Sequence, residues 1–149
     1  MDFYLVRHGE AVSETVDAKR PLSPIGRQQI ESIARMALNK NAQVTAICHS
    51  GILRARQTAE ILGQRLCTGD RVTPIGGLLP EDDPEIAKAE LESADNPLML
   101  VGHLPHMNRL AALLVNGDIN REAVGFGPGT LVCCSRTSSQ WKIAWILRP

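Results

Sequence analysis

Two histidines and two arginines in this chain stand where phosphorus chemistry could use them. Arg7-His8-Gly9-Glu10 sets an imidazole beside a guanidinium and a glycine, directly after an apolar run. A neutral imidazole so placed is a nucleophile for phosphorus with its charge clamp adjacent, and the glycine permits close backbone approach. Ser50-Gly51-Ile52-Leu53-Arg54-Ala55-Arg56-Gln57-Thr58-Ala59-Glu60 follows a second apolar run and reads as the opening of a helix. Free N–H groups and the helix dipole favour an anion there, and Arg54 falls in the first turn, within reach of it. Val101-Gly102-His103-Leu104-Pro105 closes a third run with another histidine, able to donate to a phosphoryl oxygen. Singly, each block has a plainer reading. His8 could be a core or surface histidine, Arg54 and Arg56 solvated helix charges, and His103 a buried ring bonded to a backbone carbonyl.

The elements that must position these residues are legible in the pattern. Residues 2–7 are rich in β-formers and read as a strand buried on both faces. Ser23 offers an N-cap with Pro24 at the first helical position, and Ile30, Ile33, Ala34 and Ala37 share one helical face. The same strand-then-helix unit recurs at 44–48 with 52–64, and at 97–101 with 106–115, which implies parallel pairing. A short strand is expected at 71–75. Asp83 and Pro84 cap a helix to about residue 93, with Ile86, Ala89, Glu90 and Ser93 as a weak apolar stripe. Residues 130–134 and 141–147, joined by polar 136–140, read as an antiparallel edge. Alternation of this kind predicts a three-layer α/β/α sandwich with a mostly parallel sheet, its site lying beyond the carboxyl ends of the strands. His8, His49 and His103 all fall at or just past such ends.

The totals agree with a globular enzyme. A chain of 149 residues, 44% hydrophobic and 21% charged, suits one domain spanning 1–149 with a sizeable core. Sixteen basic residues balance sixteen acidic ones, so no overall field draws it to nucleic acid or an anionic membrane, and affinity for phosphate must be local. Two Trp, one Tyr and two Phe are too few to serve both a core and base stacking. The apolar run 3–6 is too short for a signal-peptide core, and the expected location is cytoplasmic. Cys48, Cys67, Cys133 and Cys134 lack zinc-site spacing; the adjacent Cys133 and Cys134 should point to opposite faces of a strand, as free thiols.

Taken together, in this order and spacing, the three blocks resemble the histidine phosphatase superfamily, also called phosphoglycerate-mutase-like. The resemblance extends to Arg20-Pro21-Leu22-Ser23-Pro24-Ile25-Gly26, which is similar to the segment after the active-site loop in the short bacterial SixA-type phosphohistidine phosphatases. It implies a phosphoglycerate-mutase-like fold, a covalent phosphohistidine on His8, phosphoryl oxygens held by Arg7 and Arg54, and a pocket completed by His103. Gly9 would lie against the phosphate. Phosphoryl transfer needs positioning and charge neutralisation above all, and two arginines with one histidine supply both without metal or cofactor. His8 must attack as neutral imidazole, so a backbone acceptor should hold its other nitrogen.

A general acid is less clearly marked. Alkyl phosphates need one for their leaving group, and the candidates are Glu81 and Asp82 in Leu79-Pro80-Glu81-Asp82-Asp83-Pro84, where Asp83 is better explained as a helix cap. Without such an acid, phosphoramidates such as phosphohistidine are favoured. The modest stretch between the Arg54 helix and His103 leaves little room for capping insertions, so the pocket should be open and accept a phosphorylated protein. The alternatives are a phosphatase for small phosphate esters, a silent module that binds phosphorylated ligands, and a metal-dependent hydrolase using His49, His103 and His106. Retention of His8 argues against the silent module, and the lack of a carboxylate in a ligand motif argues against the metal. Arg20, His49, Arg56 and His106 are left without an assigned role.

Overall fold

The computed structural model describes residues 1–149, apart from the side chain of Asp70. Its elements run β1 (Asp2–Arg7), α1 (Pro24–Asn39), β2 (Val44–His49), α2 (Leu53–Leu66), β3 (Cys67–Pro74), α3 (Pro84–Ser93), β4 (Leu98–Gly102), α4 (His106–Asn116), β5 (Leu131–Thr137) and β6 (Gln140–Leu147). The six strands form one sheet in the order β3-β2-β4-β1-β5-β6. The pairs β1/β4, β4/β2 and β2/β3 are parallel, and β5 and β6 add an antiparallel edge beside β1. This is the mostly parallel sandwich expected from the alternation of strands and helices.

Alternating side chains along each strand feed two apolar layers. On one face Tyr4 and Val6 of β1, Ile47 of β2 and Met99 and Val101 of β4 meet Ile30, Ile33 and Ala37 of α1 and Ala55, Ala59 and Leu62 of α2. On the other, Phe3, Leu5 and Leu100 meet Ala87 and Leu91 of α3 and Met107, Leu110 and Leu114 of α4. Cys133 packs in the first layer and Cys134 in the second, as their adjacency in a strand requires. All four cysteines are free thiols.

Local chemistry explains where the helices begin. The Ser23 hydroxyl accepts from Gly26 N–H at 2.9 Å, and Pro24 occupies the first turn of α1. Asp83 caps α3 in the same manner, accepting from Glu85 N–H at 3.0 Å.

Two expectations need correction. α2 runs to Leu66 and passes directly into β3 at Cys67, so that strand starts four residues before the expected 71–75. The apolar stripe of α3 is Pro84, Ala87 and Leu91, while Ile86 is 53% exposed and Ala89 is exposed. Leu91 is the only leucine of this helix, and burying it together with Ala87 one turn earlier rolls Ile86 outward over Gly77.

Candidate active site

The carboxyl ends of β1, β2 and β4 lie side by side, which brings His8, Ser50 and His103 together. Backbone bonds fix the nucleophile candidate on both sides: His8 N–H donates to Gly102 O at 3.0 Å, and Gly129 N–H donates to His8 O at 3.1 Å. The His8 ring is 8% exposed, and its Nδ1 lies 2.7 Å from Gly9 O. A carbonyl can only accept, so Nδ1 carries the proton and Nε2 keeps the lone pair. This is the backbone acceptor that attack by a neutral imidazole calls for.

Gly9 is held as tightly. Its N–H donates to Thr58 Oγ1 of α2 at 3.2 Å, and Thr58 in turn donates to Arg54 O at 2.8 Å. A β-carbon on Gly9 would stand 2.9 Å from Gly26 O and 3.0 Å from Ile30 Cγ1, so the residue type follows from its seat between α1 and α2.

His103 is 2% exposed, and its ring centroid lies 5.1 Å from that of His8, the two planes tilted by 56°. Ser50 Oγ sits 2.6 Å from His103 Nε2 and accepts from Ile52 N–H at 3.2 Å. Arg7 directs Nη1 to Phe126 O at 2.9 Å. Arg7 Nε and Arg54 Nε are buried donors, and His103 Nδ1 a buried ring nitrogen, with no partner among the described residues. Two guanidinium nitrogens in that condition, whose charges act on His8, suit an oxyanion.

The electrostatics favour neutral imidazoles beside charged guanidiniums. Burial pushes His8 down from 6.5 to about 4; the Gly9 carbonyl opposes this, while Arg54, Arg7 and Arg20 add to it. Burial pushes His103 down to about 3, helped by His8, Arg54, His106 and Arg7. Both rings are therefore neutral near pH 7.

The remaining candidates are distributed around this cluster. Glu81 is bound to Arg109 of α4, with Nη1 to Oε2 at 3.1 Å, and its side chain is 77% exposed. Asp82 accepts from Leu79 N–H at 2.9 Å within its own loop. His49 is buried and accepts from Gly51 N–H at 3.0 Å, which shapes the turn into α2. His106 is fully buried as the first residue of α4, so a solvent-facing role is ruled out. Arg56 forms a surface pair with Glu60 at 3.4 Å. Arg20 is half-buried in a left-handed conformation, φ 48°, with Nε donating to Val12 O at 3.1 Å; its charge reaches both His8 and Arg54.

Ser50 and Thr58 touch the site, although the sequence reading assigned them no role. The available signal for Thr58 was its place one turn after Arg54 in α2, whereas Ser50 precedes the N-cap Ile52 and carries no helical spacing.

Known proteins resemble this chain in sequence and in fold. Residues 3–74 match the Histidine phosphatase superfamily (branch 1). The phosphohistidine phosphatase SixA of Escherichia coli (strain K12) is 27% identical over 123 residues, 79% of this chain and 76% of that protein. An uncharacterised protein of Picosynechococcus sp. is 32% identical over 125 residues, 79% of this chain and 75% of that one. A structure of the protein histidine phosphatase SixA complexed with tungstate superposes with a TM-score of 0.86 at 23% identity, covering 99% of this chain and 97% of that one. From its three blocks, its fold and these likenesses, the chain belongs to the histidine phosphatase superfamily.

Proposed function

We propose that this protein is a metal-independent phosphatase that forms a covalent phosphohistidine on His8 and acts on phosphohistidine carried by a protein. The observation that carries the reading is the bond between His8 Nδ1 and Gly9 O, 2.7 Å, which leaves Nε2 free to attack. In the first step His8 Nε2 forms a bond to phosphorus while the bond from phosphorus to the substrate's imidazole nitrogen breaks; that imidazole, already protonated by solvent on its other ring nitrogen, departs as the neutral base. Water then attacks the phosphorus of phospho-His8, its P–N bond breaks, and inorganic phosphate leaves.

Arg7, Arg54 and His103 hold the three equatorial oxygens in this reading. Because Ser50 Oγ already accepts from Ile52 N–H, it can give its own proton to His103 Nε2; His103 Nδ1 is then an N–H donor. Tungstate, the oxyanion named with the SixA structure, is a tetrahedral group of the kind such donors fit.

The choice of substrate rests on leaving groups and access. Glu81 is paired with Arg109 and Asp82 with the Leu79 amide, and in this reading neither carboxyl serves as the acid for a departing alkoxide. An imidazole leaves far more readily. Between α2 and β4 stand β3, the loop 75–83 and α3, whose Ala87 and Leu91 join the core layer of α4, and in this reading the phosphorylated side chain of a protein reaches the strand ends past that loop.

The test is hydrolysis of a phosphohistidine-bearing protein beside 3-phosphoglycerate, with chelator present, by the wild type and His8→Ala. Turnover of the phosphohistidine that is lost in His8→Ala, with little on the alkyl ester, supports the proposal. Inactivity of the wild type on both, or activity indifferent to His8, overturns it.

A further inference from the structure

We infer that Thr58 is a positioning residue that locks the nucleophile loop to the helix carrying Arg54, through a hydroxyl shared between the two. The inference rests on the phosphohistidine reading of the site.

Thr58 is 0% exposed in the second turn of α2, with its hydroxyl directed inward. One hydroxyl makes two bonds of opposite sense. It donates to Arg54 O at 2.8 Å and accepts from Gly9 N–H at 3.2 Å. The first bond alone is an ordinary habit of threonine in a helix. The second is not local: it joins positions 49 residues apart and reaches the loop that bears the nucleophile.

The consequence follows along the chain of contacts. Gly9 has its N–H on Thr58 and its C=O on His8 Nδ1, so the glycine is pinned on both of its peptides. The His8–Gly9 peptide is thereby held by Thr58 of α2 at its N–H and by Gly129 at its C=O, while Gln29 of α1 accepts from Glu10 N–H on the peptide that bears the Gly9 carbonyl. Among these holds Thr58 is the one that comes from the helix carrying Arg54, beside Gly129 and Gln29 from elsewhere in the fold. Loss of the hydroxyl leaves a buried N–H without a partner and removes the tie to α2, which loosens the distance of the loop from Arg54 and, through Gly9, the bond to His8.

The prediction separates hydroxyl from shape. Thr58→Val keeps the branched outline and removes the hydroxyl, Thr58→Ser keeps the hydroxyl and removes a methyl, and Thr58→Ala stands in if valine disturbs folding. Phosphohistidine hydrolysis by Thr58→Val should show kcat lower by about 10–100-fold with KM within about threefold, while Thr58→Ser stays within about threefold of wild type. Two-bond 15N–1H correlations should show His8 protonated at Nδ1 in the wild type and in Thr58→Ser, and a mixture of tautomers in Thr58→Val. Wild-type kcat and a single His8 tautomer in Thr58→Val overturn the inference, as does a loss in Thr58→Ser equal to that in Thr58→Val. If the wild type turns over no phosphohistidine, the functional reading fails by itself, and the tautomer comparison still decides the role of Thr58.

Discussion

Replacing His8 with glutamine should remove part of the protein's sensitivity to acid, and the size of the change can be worked from the buried imidazole. Burial, with Arg54, Arg7 and Arg20 nearby, lowers the His8 pKa from 6.5 in the unfolded chain to about 4 in the native state. Between those values the unfolded chain binds a proton that the native state refuses. Native stability is therefore complete above the unfolded pKa and is lost as pH falls towards the folded one. The gap, at about 1.36 kcal/mol per pH unit, corresponds to about 3 kcal/mol, of which roughly 2 kcal/mol is already lost on going from about pH 8 to about pH 5. Glutamine has no such proton to take up. Urea unfolding of wild type and His8→Gln at both pH values should show the wild type losing about 2 kcal/mol more than the variant across that interval. His103, held down to about 3 by its own burial, loses stability in both proteins and largely cancels in the difference. Equal losses in the two proteins would refute the claim that His8 is buried as the neutral base.

Ser50→Ala removes the hydroxyl 2.6 Å from His103 Nε2 and should lower phosphohistidine kcat by about tenfold with KM little changed, measured by steady-state kinetics. Glu81→Gln breaks only an exposed pair with Arg109; kcat on phosphohistidine should stay within about twofold, and chemical denaturation should register a change under about 1 kcal/mol. Gly9→Ala forces a methyl to 2.9 Å from Gly26 O; a loss of about 1–3 kcal/mol in denaturation and a fall in kcat are expected.

Much of the architecture follows from local chemistry. Ser23 with Pro24 and Asp83 with Pro84 start α1 and α3 wherever they occur, because capping needs only neighbours in the chain. The periodic residues Ile30, Ile33, Ala34 and Ala37 identify the buried face of α1 for the same reason. The α3 stripe was misjudged because Ile86 and Leu91 compete for burial on a helix with little apolar content, and only the neighbouring sheet and α4 decide between them.

The candidate site divides along the same line. Residue types and spacing in the sequence single out His8, Arg7, Gly9, Arg54 and His103, because each block is short and stands at the end of a strand or the start of a helix. Two matters were settled by the tertiary structure: that Ser50 meets His103, and that Thr58 joins Gly9 to the helix of Arg54. The fate of the acidic loop was decided the same way, since Arg109 stands 28 residues beyond Glu81 and reaches it only after α4 has packed on the sheet. Hydrogen bonds between residues far apart in the chain depend on angles and distances of a few tenths of an ångström. The order of strands β3-β2-β4-β1-β5-β6 sets those distances, and no local pattern contains that order.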